Sequence, residues 1–391
     1  MRRKPEQIHE LVEKHKLETL ELRERMDEDY DIYKLIPFKH EEKFAGFKEY
    51  TSNEPRTMAS KIISLLGSAQ VVVRVPLTDE RREERNSSND KERFIIGCLR
   101  QADERLAQRL VPSVQEQLAF FAPLRGWFAG RALIVKDESG ATFIDITPFD
   151  PRHIYWNMGN DGLNWAVYKT VKKRDEIEAE YGVKVPDSIE TEEDNGVEVY
   201  DYYDDEHNIV TTSDTVLKKA TIHGSPRTPV FIGAVGVAPP IYGDDLMTDD
   251  MTRDYGESIF HANREVYKND NFMKSVYLEL AGRSLKRPMA VTSRDGRKTL
   301  SENPYVAGAE LSLSQDDKVE LLDLMETTRD AQTVLGMVSG ELQRGGLPFS
   351  LFGELQFQLS GFAINSLRQS IFTVIEPSLK AMKNAYRQIA R

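Results

Sequence analysis

The chain has one cysteine, Cys98, in 391 residues. No disulfide can close within it, so buried apolar surface and hydrogen bonds must hold the fold, and a reducing compartment is the simplest setting. Long apolar runs are missing as well. Those at 62–66 and 71–73 fall far short of the ~20 residues that span a bilayer. The opening stretch MRRKPEQIHELVEKHK lacks the apolar core of a secretory signal. There is no GxxxxGK[ST] phosphate loop, no HExxH and no paired CxxC. The seven histidines are dispersed, and His153 and His261 read as ordinary residues. Ser225 and Ser360 lie beside glycines but outside a GxSxG context. A basic excess is missing too: 52 Lys and Arg stand against 64 Asp and Glu, a net charge of −12. That balance excludes a tight, whole-surface grip on nucleic acid phosphates. It leaves room for a conduit that a polyanion passes through.

What is present is a soluble composition, 40% hydrophobic and 30% charged, long enough for two or three domains. Residues 5–30 read as an exposed helix, with Leu11, Leu17, Leu20 and Leu22 among charges. Tyr30, Tyr33, Leu35, Phe38, Phe44, Phe47 and Tyr50 could anchor an irregular segment over 31–50. A helix is expected over 56–66, with Met58, Ile62, Leu65 and Leu66 on one face. The β-branched run Val71–Val75 reads as a strand, and the charged 79–93 as a loop or fraying helix start. Two helices follow over 94–124, broken near Pro112. Short strands are expected at 132–136, 142–147, 153–157, 165–170, 198–204 and 230–233, with one helix at 174–181. Helices leading into a mixed β part give an α+β domain.

A longer helical pattern then runs from Gly243 to Leu280, without proline, at roughly 50 Å for ~1.5 Å per residue. Ile259, Ala262, Val266, Met273, Val276 and Leu280 form its apolar stripe, with Asn269 in the one missing place. Strand-like segments at 287–291, 310–313 and 319–324 come next, with turn residues between. Thr327 could cap a helix bearing Ala331, Val334, Leu335, Val338 and Leu342, which Gly345-Gly346 ends. A Gly-punctuated segment, 346–361, leads to a last helix over 362–391, with Ile364, Leu367, Ile371, Val374 and Ile375 on one face. Pro377 is expected to kink it.

Several stretches, in this order, resemble the portal proteins of tailed phages. They are SNEPRTMASKIISLLGS at 52–68, TPFDPRHIYWNMGNDGLNWAVY at 147–168, HGSPRTPVFIGAVG at 223–236, KVELLDL at 318–324 and LQRGGLPFSLFGELQFQLSGFAINSLR at 342–368. The resemblance implies a ring-forming α+β subunit: a wing over 1–242, a first stem helix over 243–282 and a clip over 283–326. A second stem helix over 327–345, a tunnel loop over 346–361 and a kinked wing helix over 362–391 follow. Many portals continue into a helical crown; this chain stops at Arg391, so the crown is expected to be absent, minimal or removed.

By the same resemblance the assembly is a non-enzymatic dodecamer at one capsid vertex of a virion, assembled in the host cytoplasm. It would be the channel for packaging and ejection of double-stranded DNA. Expected partners are the terminase large subunit, a neck adaptor, and major capsid or scaffolding protein; no cofactor, metal or membrane is implied. Channel and tunnel-loop candidates are Arg264, Lys268, Lys274, Arg344, Gly346, Phe349, Phe352 and Gln356. Arg287, Arg294, Arg297 and Lys298 are candidate docking cations of the clip. The rival readings are an unrelated soluble scaffold and a metal-dependent nucleic-acid enzyme. The enzyme would use Asp201, Asp204 and Asp205, or Asp244, Asp245, Asp249 and Asp250, to hold Mg²⁺.

Overall fold

The computed structural model describes residues 3–40, 48–76, 82–136, 140–186, 196–237, 256–285, 289–292, 318–321, 329–347 and 361–391. It is α+β. The chain divides into two compact units. One comprises Met1–Lys34, Arg56–His261 and Leu355–Arg391; the other comprises Leu35–Pro55 and Ala262–Glu354.

The first unit opens with α1 (Pro5–Glu18) and α2 (Leu20–Lys34). The apolar residues they bury are Ile8, Val12, Leu22 and Met26, whereas Leu17 and Leu20 stay in solvent. Next come α3 (Glu54–Gly67), α4 (Arg82–Gln108) and α5 (Val114–Arg125). A capping box starts α5: Glu116 N–H donates to Ser113 Oγ, and the Glu116 carboxylate accepts from Ser113 N–H. Gly126, at φ 69°, ends it in the left-handed conformation.

The expected strand at Val71–Val75 does not form. Val75 N–H donates to Glu92 Oε1 at 2.9 Å, and its carbonyl accepts from Ser88 Oγ at 2.9 Å. Side chains of α4 thus take the bonds a neighbouring strand would have supplied. Within the stretch read as a loop or fraying helix start, 79–93, helix begins at Arg82.

Three strands, β1 (Trp127–Lys136), β2 (Thr142–Phe149) and β8 (Val230–Ala234), make a sheet in the order β2-β1-β8. The other five are β3 (Ile154–Gly159), β4 (Gly162–Lys173), β5 (Gly196–Asp204), β6 (His207–Thr211) and β7 (Val216–Ile222). They pair antiparallel in chain order. The helix expected at 174–181 is α6 (Arg174–Tyr181). Central β5 is covered on both faces, so its burial does not alternate. Tyr200 and Tyr202 pack with Ile8 and Val12 of α1; Tyr203 packs with Trp127, Trp156 and Ile232.

The outer edge of β8 is closed by a side chain. The long helix α9 (Gly361–Ile389) places Gln388 so that its amide accepts from Ile232 N–H and donates to Ile232 C=O, both at 3.0 Å. The amide stands in for one residue of a further strand. Pro377 lies inside α9 without ending it.

The second unit holds α7 (Arg264–Leu285), a two-stranded pair of β9 (Met289–Thr292) and β10 (Lys318–Leu321), and α8 (Arg329–Gly345). The segment 35–55, expected in the wing, groups with these elements. The expected helix from Gly243 is shorter in the structure. Residues 243–255 lie outside the described residues, and helix begins only at Arg264, giving 22 residues and roughly 33 Å. Gly256 sits at φ 82°, and the N–H groups of Glu257 and Ile259 donate to Val235 O and Pro123 O. Donors committed in this way cannot close helical turns. The end at Gly345 agrees with expectation: Asn263 Nδ2 donates to Leu342 O at 2.9 Å, and a Cβ at Gly345 would meet Asn263 Oδ1 at 2.1 Å. The segments at 310–313 and 322–327, and the Gly-punctuated segment over 348–360, lie outside the described residues.

Candidate channel-lining and docking residues

The buried face of α7 is not its apolar stripe. Asn263, Tyr267, Asp270 and Ser275 are buried, whereas Ala262 is exposed and Val266, Met273, Val276 and Leu280 are half-buried. At 100° per residue the two sets lie on different sides of the helix. Burial pushes the Tyr267 phenol upward, and the nearby Glu54 carboxylate adds to the shift.

A strap over residues 48–52 runs antiparallel to α7 and bonds to its polar side. Lys48 N–H donates to Glu279 Oε2 at 3.3 Å, Tyr50 N–H to Ser275 Oγ at 2.9 Å, and Ser52 N–H to Asn271 Oδ1 at 2.8 Å. Alternate strap residues thus meet helix residues four apart. Sequence reading missed Asn271, Ser275 and Glu279. Their i, i+4, i+8 spacing was the available signal.

Two of the three candidate cations of α7, Lys268 and Lys274, have carboxylate partners three or four residues away. Lys268 Nζ lies 2.9 Å from Glu265 Oε1. Lys274 Nζ lies 2.6 Å from Asp270 Oδ2 and 6.0 Å from the centroid of the Tyr50 ring. Arg264 is half-buried at the first turn, and Arg344 is exposed in the last turn of α8. Gly346 is buried just beyond it. Phe349, Phe352, Gln356, Arg287, Arg294, Arg297 and Lys298 lie outside the described residues.

On α8, Leu342 is buried and Leu335 and Val338 are half-buried. Val334 and Met337 point elsewhere, at 42% and 64% exposure.

The described acids of the rival enzyme reading, Asp201, Asp204 and Asp205, are engaged in hydrogen bonds within the fold. Asp201 accepts from Arg131 and Tyr203 through Oδ2 and from Asn208 through Oδ1. Asp204 Oδ1 accepts from the N–H groups of Glu206 and His207, and Asp205 Oδ1 accepts from Thr228 Oγ1. Asp244, Asp245, Asp249 and Asp250 lie outside the described residues. Among the described residues no group of three or more His, Cys, Asp or Glu is placed to hold a metal ion. No described helix is long and apolar enough to cross a membrane.

No family model matches the chain, and no curated protein matches it. Among solved structures it is similar, at 13% identity and a TM-score of 0.44, to a chain of the "Neck of empty GTA particle computed with C6 symmetry"; the match covers 84% of this chain and 76% of that one. It is also similar, at 13% identity and a TM-score of 0.45, to a chain of the "Virion of native gene transfer agent (GTA) particle", covering 86% of this chain and 78% of that one.

Proposed function

We propose that this chain is the subunit of a portal-type ring through which double-stranded DNA is packaged and released. One observation carries the reading: α7 turns its polar side inward and leaves its apolar stripe only half-buried within the single chain. The half-buried stripe of Val266, Met273, Val276 and Leu280 keeps apolar area for a further contact, and α8 offers a second, different strip, exposed at Val334 and Met337. Two unlike strips on one subunit favour a head-to-tail contact, which closes into a ring if the rotation permits. The succession of α7, the β9–β10 pair and α8 supports the reading.

The charges fit a wall that a polyanion slides past. Lys268 and Lys274 each carry a carboxylate partner one turn or less away, so the helix offers DNA little net attraction. Within this reading the ring is a dodecamer at a capsid vertex. The clip meets the terminase large subunit and then a neck adaptor, and the wing meets capsid or scaffold protein.

The test is native mass measurement together with negative-stain imaging of the purified chain. A ring with a central hole is expected, and Val276→Glu combined with Met337→Glu is expected to dissociate it into folded subunits. A stable monomer or dimer under all conditions, or particles without a hole, overturns the proposal.

A further inference from the structure

The strap over 48–52 bonds to α7 through groups that water can replace. Its rungs are the N–H groups of Ser52, Tyr50 and Lys48, at 2.8, 2.9 and 3.3 Å from Asn271, Ser275 and Glu279. Two extended residues advance about 6.4–6.8 Å, while four helical residues advance about 6.0 Å. The two repeats drift apart by roughly half an ångström per rung, and the bonds lengthen in that direction. Three hydrogen bonds weigh little against the entropy of ordering five residues.

Next to the strap's rungs, α7 carries an ion pair. Asp270 is fully buried, its Oδ2 holds Lys274 at 2.6 Å, and its Oδ1 accepts no hydrogen bond. A buried carboxylate oxygen without a donor favours any opening that admits water. The Tyr50 ring stands over the Lys274 ammonium from the strap side.

We propose that residues 48–52 are a latch that unzips from α7 as one unit, without unfolding of the helix, and thereby lifts the Tyr50 ring from Lys274 and exposes its ammonium further to solvent. Opening hydrates polar groups and uncovers little apolar surface, so it proceeds far below the free energy of global unfolding. Its consequence rests on reading α7 as a channel wall. There the latch decides whether Lys274 is presented to a passing polyanion.

Hydrogen exchange on the full chain tests the latch. The amides of Lys48, Tyr50 and Ser52 are expected to exchange together and at least a hundredfold faster than the helical amides of Tyr267–Val276. Ser275→Ala is expected to speed all three by about fivefold, the loss of one neutral hydrogen bond, with the α7 amides unchanged as the control for folding. Acylation of Lys274 by a soluble amine-reactive reagent, read by peptide mass, should rise in parallel. The latch is refuted if the acceleration is confined to Tyr50, if the three amides exchange as slowly as the helix, or if Lys274 reactivity does not follow them. Exchange is blind to ring formation and particle mass is blind to the strap, so failure of the latch and failure of the ring are separable.

Discussion

His15 makes the first unit sensitive to mild acid. Its ring is buried among aromatic rings, with centroids 4.8 Å from Trp156, 5.9 Å from Tyr155 and 6.3 Å from Trp165. Burial, and then the neighbouring Arg23 guanidinium, lower its pKa from 6.5 to about 3. The native state therefore holds the neutral imidazole, while the unfolded chain takes up a proton below 6.5. For a depressed pKa the stabilisation is complete above the unfolded value and is lost as pH falls toward the folded one. At pH 5 the gap of roughly 1.5 units corresponds to about 2 kcal/mol at ~1.36 kcal/mol per unit.

His15→Phe keeps a ring in the box and removes the proton site. Thr19 remains bonded, because its Oγ1 donates to the His15 carbonyl at 2.7 Å and accepts from Arg23 Nε at 3.2 Å. Thermal unfolding at pH 7 and pH 5 should show the wild type losing about 4–8 °C more than the variant, at ~2–4 °C per kcal/mol. Carboxylates elsewhere titrate in both proteins and cancel. If the two pH profiles coincide, or if the His15 imidazole titrates near its ordinary value by NMR, the reasoning fails.

Arg131 braces the two sheets. It reaches Asp145 at 2.8 Å, Asp201 at 3.1 Å and Tyr203 Oη at 2.7 Å. Arg131→Met is expected to cost about 3 kcal/mol by chemical denaturation, the lower end for a buried pair because the side chain is a quarter exposed. Adding Asp145→Asn and Asp201→Asn should recover much of that loss. Gln388→Ala should cost about 1–3 kcal/mol through the two orphaned groups of Ile232. By uncovering the β8 edge it should also make association concentration-dependent in light scattering.

Much of the secondary structure was legible because local signals and tertiary demands agreed. The break near Pro112, the helix end at Tyr181 and the Gly345 stop each mark a boundary the structure keeps. The hairpin of β6 and β7 was missed although its turn carries the chemistry of one. Thr212 N–H donates to Thr215 O at 2.8 Å, and Thr215 N–H returns to Thr212 Oγ1 at 3.0 Å. Its strands hold Asn208, Lys218 and Lys219 among the apolar residues, which broke the alternation sought. The strand expected at Val71–Val75 shows the reverse error: β-branched residues suited to a sheet, with no strand available to pair. The candidate cations were legible as residues, but not their neutralisation. Yet Lys274 follows Asp270 by four and Lys268 follows Glu265 by three, spacings at which helical charges meet.

The stripe on α7 shows why periodicity found the helix but not the face that the chain itself buries. Hydrophobic spacing tells which side of a helix avoids water in the state that functions. It does not say whether the cover comes from the same chain. In α7 the intramolecular cover falls on Asn263, Tyr267, Asp270 and Ser275, each with a polar group to satisfy. Such groups are directional, so strap and helix can be held in register by hydrogen bonds alone. The nondirectional apolar side is then free for a contact whose area and partner the fold does not dictate. On the ring reading this division has a physical logic. Each subunit must fold while its neighbours are absent, which the polar side permits, and must then associate over a long seam, which the apolar side drives. A helix that buried Val266, Met273 and Val276 at home would fold more firmly and assemble less.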